Sequence, residues 1–175
     1  MQEETLCKLI EEVPDFPSAG ISYKDITPLL ADPAGFSTAV DALAEQIAAV
    51  DPAAVLAIES RGFIFGAAVA DRLGLPLHLV RKRGKLPRRA VGVTYELEYG
   101  EDHLEIHADA LQAGSRYAII DDVLATGGTA AAVADLVEAE GGIVATLSFL
   151  IEISSLRGRA RLGDRPVASV LQFSD

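Results

Sequence analysis

Two adjacent carboxylates, Asp121 and Asp122, are followed after two residues by Ala125-Thr126-Gly127-Gly128-Thr129. Carboxylates accept hydrogen bonds and bind hard cations, glycines let a backbone approach a ligand closely, and threonines add hydroxyl donors. The apolar run Tyr117-Ala118-Ile119-Ile120 before them predicts a strand. Ala130 to Glu140, with Val133, Leu136 and Val137 on one face, predicts a helix. The first amides of a helix have no partner within it, and its dipole favours anions there, so residues 125–129 read as a phosphate cradle. The loop lacks the lysine of a Walker loop and the G-x-G-x-x-G spacing of dinucleotide sites. The acid pair falls at the carboxyl end of a strand, where open α/β sheets bind ligands. Two carboxylates beside a phosphate site would repel the ligand unless they held ribose hydroxyls or a divalent metal. The stretch therefore predicts a sugar phosphate with Mg²⁺.

The elements that must position this loop can be read along the chain. Gln2 to Val13 predicts a helix with Leu6, Leu9, Ile10 and Val13 on one face, ended by Pro14, and residues 15–24 read as irregular. Asp32-Pro33 opens a helix whose stripe is Phe36, Val40, Leu43 and Ile47. Val55 to Ile58 is wholly apolar, as in a strand buried on both faces of a parallel sheet. The turn Glu59-Ser60-Arg61-Gly62, a helix from Phe63 to Leu73 capped by Gly74, and a strand from Leu77 to Val80 complete one strand, loop, helix, strand unit. Residues 84–107 predict an antiparallel hairpin reached through a basic loop. A second strand, loop, helix, strand unit contains the cradle and ends at Ile151. Arg157 to Arg161 reads as a solvated turn, and Val167 to Phe173 as a last strand. The fold class is α/β: an open, mostly parallel twisted sheet with helices on both faces, a small N-terminal hood and an antiparallel lid hairpin. One domain over 1–175 is expected, with the hood from about 1–35 and the lid at about 84–107.

Composition narrows the partners. Half of the 175 residues are hydrophobic and 23% are charged, and the apolar runs are too short to span a membrane. A net charge of −11 argues against nucleic acid, yet six of the fifteen Lys and Arg lie between Arg81 and Arg89, which points to an anionic ligand at one place. One cysteine, Cys7, excludes an internal disulfide and fits the cytoplasm. His78, His103 and His107 form no metal-ligand spacing.

The stretch from Tyr117 to Thr129 resembles the 5-phosphoribosyl-1-pyrophosphate (PRPP) motif of type I phosphoribosyltransferases. Glu59-Ser60-Arg61-Gly62-Phe63, Arg81 to Arg88, and Tyr95-Glu96-Leu97-Glu98-Tyr99-Gly100 narrow the resemblance to members that act on adenine. It implies transfer of the phosphoribosyl group from PRPP to adenine, giving AMP and pyrophosphate, in a homodimeric purine-salvage enzyme. Members acting on xanthine, guanine or orotate are the alternative. The resemblance implies that Ala125 to Thr129 hold the 5′-phosphate and that Asp121 and Asp122 hold the ribose diol, directly or through a Mg²⁺ carried mainly by PRPP. Arg61, Arg81, Lys82 and Lys85 would meet the pyrophosphate. The backbone of Ser22 and Lys24 would read the purine, Tyr23 would stack on it and Ile153 would wall it. Glu98 would handle the proton beneath the lid, with Glu96 at a variable position. A cis peptide at Glu59–Ser60 is also implied.

Overall fold

The computed structural model describes residues 2–96 and 100–174. Its centre is a seven-stranded sheet built from β3 (Ala54–Ile58), β4 (Leu77–Lys82), β5 (Ala90–Glu96), β6 (Glu101–His107), β7 (Arg116–Leu124), β8 (Ile143–Ile153) and β9 (Val167–Phe173), in the order β5-β6-β4-β3-β7-β8-β9. The strands from β4 across to β9 are parallel, and β5 and β6 are antiparallel. Both faces are covered, which is why β3 needs no polar residue. Ala54, Leu56 and Ile58 join Ile119, Leu147 and Phe149 under α5 (Gly128–Ala139). Val55 and Ala57 turn the other way, with Ala118, Ile120 and Leu150, beneath α3 (Pro33–Ala48) and α4 (Gly62–Leu73). Period-two alternation thus supplies two cores from one set of strands.

The topology fixes where a ligand can enter. From β3 the chain moves outward through α4 to β4. It later returns to the other side of β3 as β7 and moves outward the opposite way through α5 to β8. The loops leaving β3 and β7 therefore diverge, opening a crevice at a topological switch point. Glu59 to Arg61 line one side of it and Asp121 to Thr129 the other.

Two expectations are corrected and another is extended. The first helix, α1, stops at Cys7, and Glu11–Pro14 form strand β1, paired antiparallel with β2 (Ser22–Asp25) through Val13 and Tyr23. Leu6 is buried in the core, but Val13 precedes a proline, which disfavours the helical region, and β2 gives its backbone partners. The hood is built on this two-stranded sheet, followed by α2 (Thr27–Ala31). Second, the expected antiparallel hairpin is present as β5–β6 and extends the central sheet, because β6 pairs with β4 at Arg81–Glu105 and Lys82–Leu104.

Third, residues 157–161 are no solvated turn. Gly158–Leu162 form a short helix, α6, with Gly158 and Leu162 buried. Arg159 grips Glu152 with two hydrogen bonds of 2.7 Å and also donates to Ser169 Oγ and the Val167 carbonyl. This fork ties α6 to the ends of β8 and β9 and sets Gly158 against the loop after β7. A Cβ on Gly158 would come within 2.3 Å of the Ala125 carbonyl oxygen. In an unhindered helix, Gly→Ala stabilises by about 0.5–1 kcal/mol. Here the sign reverses: Gly158→Ala is expected to lower stability by about 1–3 kcal/mol through overpacking, measured by urea denaturation.

Candidate active site

Leu124 ends β7, and the loop 125–127 leads to α5. Gly127 lies at φ +80°, in the left-handed region that favours glycine, and a Cβ there would stand 2.5 Å from the Gly158 carbonyl oxygen. No side chain caps α5 at Gly127, and its first turn borders a small groove of about 90 Å³ lined by Asp121, residues 123–130 and Phe149. All five cradle residues, Ala125, Thr126, Gly127, Gly128 and Thr129, line that groove. It adjoins a cleft of about 280 Å³ lined by Glu59, Ser60, Arg61, Lys82, Tyr95, Asp102, Leu104, Asp121, Asp122 and Thr129. Asp121 and Thr129 belong to both.

Although consecutive on a strand, Asp121 and Asp122 both reach the cleft. Asp122 is buried and ion-paired to Arg61 Nε. Asp121 Oδ1 accepts from the Asp122 amide at 2.9 Å and lies 2.8 Å from where a Cβ on Gly62 would sit, so α4 starts hard against it. Burial first, and the Asp122 charge second, push the Asp121 carboxyl well above the usual carboxylate range. Arg61 also donates to Tyr23 Oη, with its guanidinium 5.5 Å from the centre of that ring. One arginine therefore connects the acid pair to the hood.

In the same cleft, Lys82 Nζ lies 3.1 Å from Asp102 Oδ2. Burial alone would raise the Asp102 carboxyl, but the His103 amide and Lys82 hold it below its ordinary value. Glu59 accepts from the Lys82 amide at 3.0 Å and from Arg81 at 3.3 and 3.4 Å. The Lys82 amide most of all keeps Glu59 below the usual range, opposed by burial and aided by Arg81, so it stays ionised and engaged. The Glu59–Ser60 peptide is cis.

The other expected residues are distributed unevenly. Tyr23 does not line the cleft but meets Arg61, which does, and has Phe16 edge-on at 5.2 Å. Ser22 Oγ donates to Glu12 at 2.6 Å, and the buried Lys24 ammonium lies 3.3 Å from Glu12 and 5.0 Å from the centre of the Phe173 ring. Both side chains are thus used within the hood. Ile153 ends β8 opposite Phe173. Arg81 and Lys85 do not line the cleft. They border a neighbouring cavity of about 350 Å³ with His78, Arg88 and His107, and Arg81 donates to the Lys85 carbonyl at 3.3 Å. Glu98 lies outside the described residues. Glu96 ends β5 opposite Glu101, with its carbonyl 4.0 Å from where a Cβ on Gly128 would sit.

Sequence reading gave no role to Tyr95 or Asp102. The signal was present: Val91, Val93 and Tyr95 alternate on one strand, and Asp102, Leu104 and Ile106 on the next, so both polar residues extend an inward-facing row. Asp102 is the second residue of β6, which begins at Glu101.

A diverging crevice, a bare helix start beside paired carboxylates, and cations facing them define a phosphoribosyltransferase. The family model described as "Phosphoribosyl transferase domain" matches residues 26–161, and the chain belongs to that family. Within it, the chain is similar to enzymes named adenine phosphoribosyltransferase. That of Carboxydothermus hydrogenoformans is 52% identical over 168 residues, covering 96% of this chain and 99% of the relative. The crystal structure of the Rhodothermus marinus enzyme superposes with a TM-score of 0.92 at 48% identity, over 98% of each chain. That of the Saccharomyces cerevisiae enzyme, complexed with an imino-altritol bisphosphate and adenine, gives 0.91 at 39% identity, over 97% of this chain and 98% of that one.

The Asp121 environment has a consequence for stability. A carboxyl raised in the folded state favours folding while protonated and loses that advantage as pH rises from its unfolded value, about 3.9, through its folded one. Asp121→Asn removes the titration. The ligand-free variant should therefore melt above the parent at pH 7–8, by roughly 2–4 °C for each kcal/mol relieved, with the difference vanishing toward pH 4. Thermal melts across that range check it.

Proposed function

We propose that this chain is a purine-salvage transferase that moves the 5-phosphoribosyl group of PRPP to adenine, releasing pyrophosphate and forming AMP. The observation that carries the reading is the groove at the open end of α5 joined, through Asp121 and Thr129, to the cleft that holds Asp122, Arg61 and Lys82. Its parts suit the substrate: a phosphate anchor, a hold on a diol, and cations for a polyanionic leaving group. Near-50% identity to adenine phosphoribosyltransferases over nearly the whole chain supports adenine as the base, as does the adenine bound in the yeast relative.

In this reading, the loop amides of residues 125–129 and the Thr126 and Thr129 hydroxyls fix the 5′-phosphate. Asp121 and Asp122 accept from the ribose hydroxyls and favour positive charge growing at the anomeric carbon, as in glycoside chemistry. The C1–O bond to pyrophosphate breaks with its electron pair leaving on oxygen, towards Arg61 and Lys82. Adenine N9 forms the new bond to C1, and its proton passes to Glu98. Tyr23 stacks on the base, the backbone of Ser22 and Lys24 reads its edge, and Ile153 forms the opposite wall. Arg81 and Lys85 stand outside the cleft of this chain, and they contribute positive potential rather than direct contact within it.

Among the described residues no group of three or more His, Cys, Asp or Glu could hold a metal ion. Oxygen-only ligands suit Mg²⁺, which keeps much of its shell on waters and substrate phosphates, so Asp121 and Asp122 are the side chains that would meet a Mg²⁺ held mainly by PRPP. When bound, that ion neutralises pyrophosphate charge. We assign the chain to one domain over 1–175, with a hood from about 1–35 and a lid at about 84–107, working as a cytoplasmic homodimer on small-molecule substrates.

An assay of nucleotide formation from PRPP and Mg²⁺ with adenine, guanine, xanthine and orotate tests the reading; turnover with adenine alone is expected, and preference for another base overturns it. Within that assay, Glu98→Gln should lower kcat by about 10²–10⁴ with little change in PRPP binding, the range for a lost acid–base group. Glu96→Gln, two residues earlier in the sequence, should be nearly silent. Equal effects at both positions would move the role elsewhere.

A further inference from the structure

The phenol of Tyr95 reaches from β5 into the cleft, 3.2 Å from Thr129 Oγ1 and 3.4 Å from Asp102 Oδ2. Asp102 in turn meets Lys82 Nζ at 3.1 Å. One oxygen thus joins the first turn of α5 to the start of β6, and Asp102 carries the link on to the end of β4, three elements remote in sequence. A phenylalanine ring would fill the same volume, so packing alone does not call for the hydroxyl.

Donor counting gives it a purpose. The Asp102 carboxylate can only accept, while Tyr95 and Thr129 carry one hydroxyl proton each. In the ligand-free protein all three are satisfied when Tyr95 donates to Asp102 and accepts from Thr129. A phosphate dianion in the cradle also only accepts. Thr129 must then give its proton to the phosphate, and the lone pair it leaves facing Tyr95 takes the phenol proton in return. Burial pushes the Tyr95 phenol above its ordinary value, so it keeps that proton.

We propose that Tyr95 is a positioning residue that aims the Thr129 hydroxyl at the 5′-phosphate by donating to its oxygen. The proposal rests on the reading of residues 125–129 as the phosphate site. Tyr95 touches no reacting atom; it acts through Thr129.

The test is a double-mutant cycle on the full chain, with ribose 5-phosphate binding measured by calorimetry for the parent, Tyr95→Phe, Thr129→Val and the double variant, and with adenine KM measured for Tyr95→Phe. Tyr95→Phe should weaken ribose 5-phosphate about three- to tenfold, the worth of one neutral hydrogen bond. Thr129→Val should weaken it at least as much, the double variant no further, and adenine KM should not change. Independent losses that multiply in the double variant, an equal loss toward adenine, or parent-like affinity in Tyr95→Phe would overturn the role of Tyr95 while leaving the cradle standing. Parent-like affinity in Thr129→Val would instead remove Thr129 from the phosphate site, and the proposal with it.

Discussion

The site depends on the uncapped start of α5. Amide donors at a helix N-terminus need an acceptor, and here none comes from a capping side chain at Gly127. The backbone can leave them open to a groove only because two glycines lie back to back. Gly127 takes a left-handed conformation, and Gly158 passes so close to the loop that neither position has room for a Cβ. What holds Gly158 there is the Arg159–Glu152 fork at the end of β8. The groove's shape is therefore set by an ion pair on a different element.

The second constraint is electrostatic. Asp121 and Asp122 stand side by side in a largely buried position, and Arg61 balances one of them while touching Tyr23 of the hood. The arrangement stores unfavourable charge at Asp121, and hydroxyl donors or a cation brought by a substrate would relieve it. Lys82 is held by Asp102 in the same cleft, so both cations that face the acids are oriented by carboxylates of their own. A protein of net charge −11 thus presents a local patch suited to an anionic ligand, with its positive groups each paired to a carboxylate.

What the sequence made legible follows the range of the physics involved. The strand, the acid pair, the glycine loop and the helix after it are consecutive, so their chemistry could be read from residue order alone. The same holds for β3 and α4, whose apolar runs end at Gly74 in a left-handed cap. Contacts between distant segments left no such trace. The pairing of β6 with β4 brings Asp102 to Lys82, and the register of β5 brings Tyr95 to Thr129. Nothing in either segment alone announces these meetings. Arg157 to Arg161 looked solvated because its composition is basic, yet the buried Glu152 partner lies on another strand. The N-terminal helix was drawn too long because Leu9, Ile10 and Val13 fit a helical period, while the competing strand partner lies beyond the next turn.

The central claim is that the open end of α5 is the anchor from which the rest of the substrate is placed. A crystal structure of the protein with AMP tests it most directly. The account predicts the phosphate within hydrogen-bond distance of the amides of residues 126–129, the ribose hydroxyls at Asp121 and Asp122, and the purine against Tyr23. A phosphate seated instead among Arg81, Lys85 and Arg88, with the α5 groove holding only water, would contradict it.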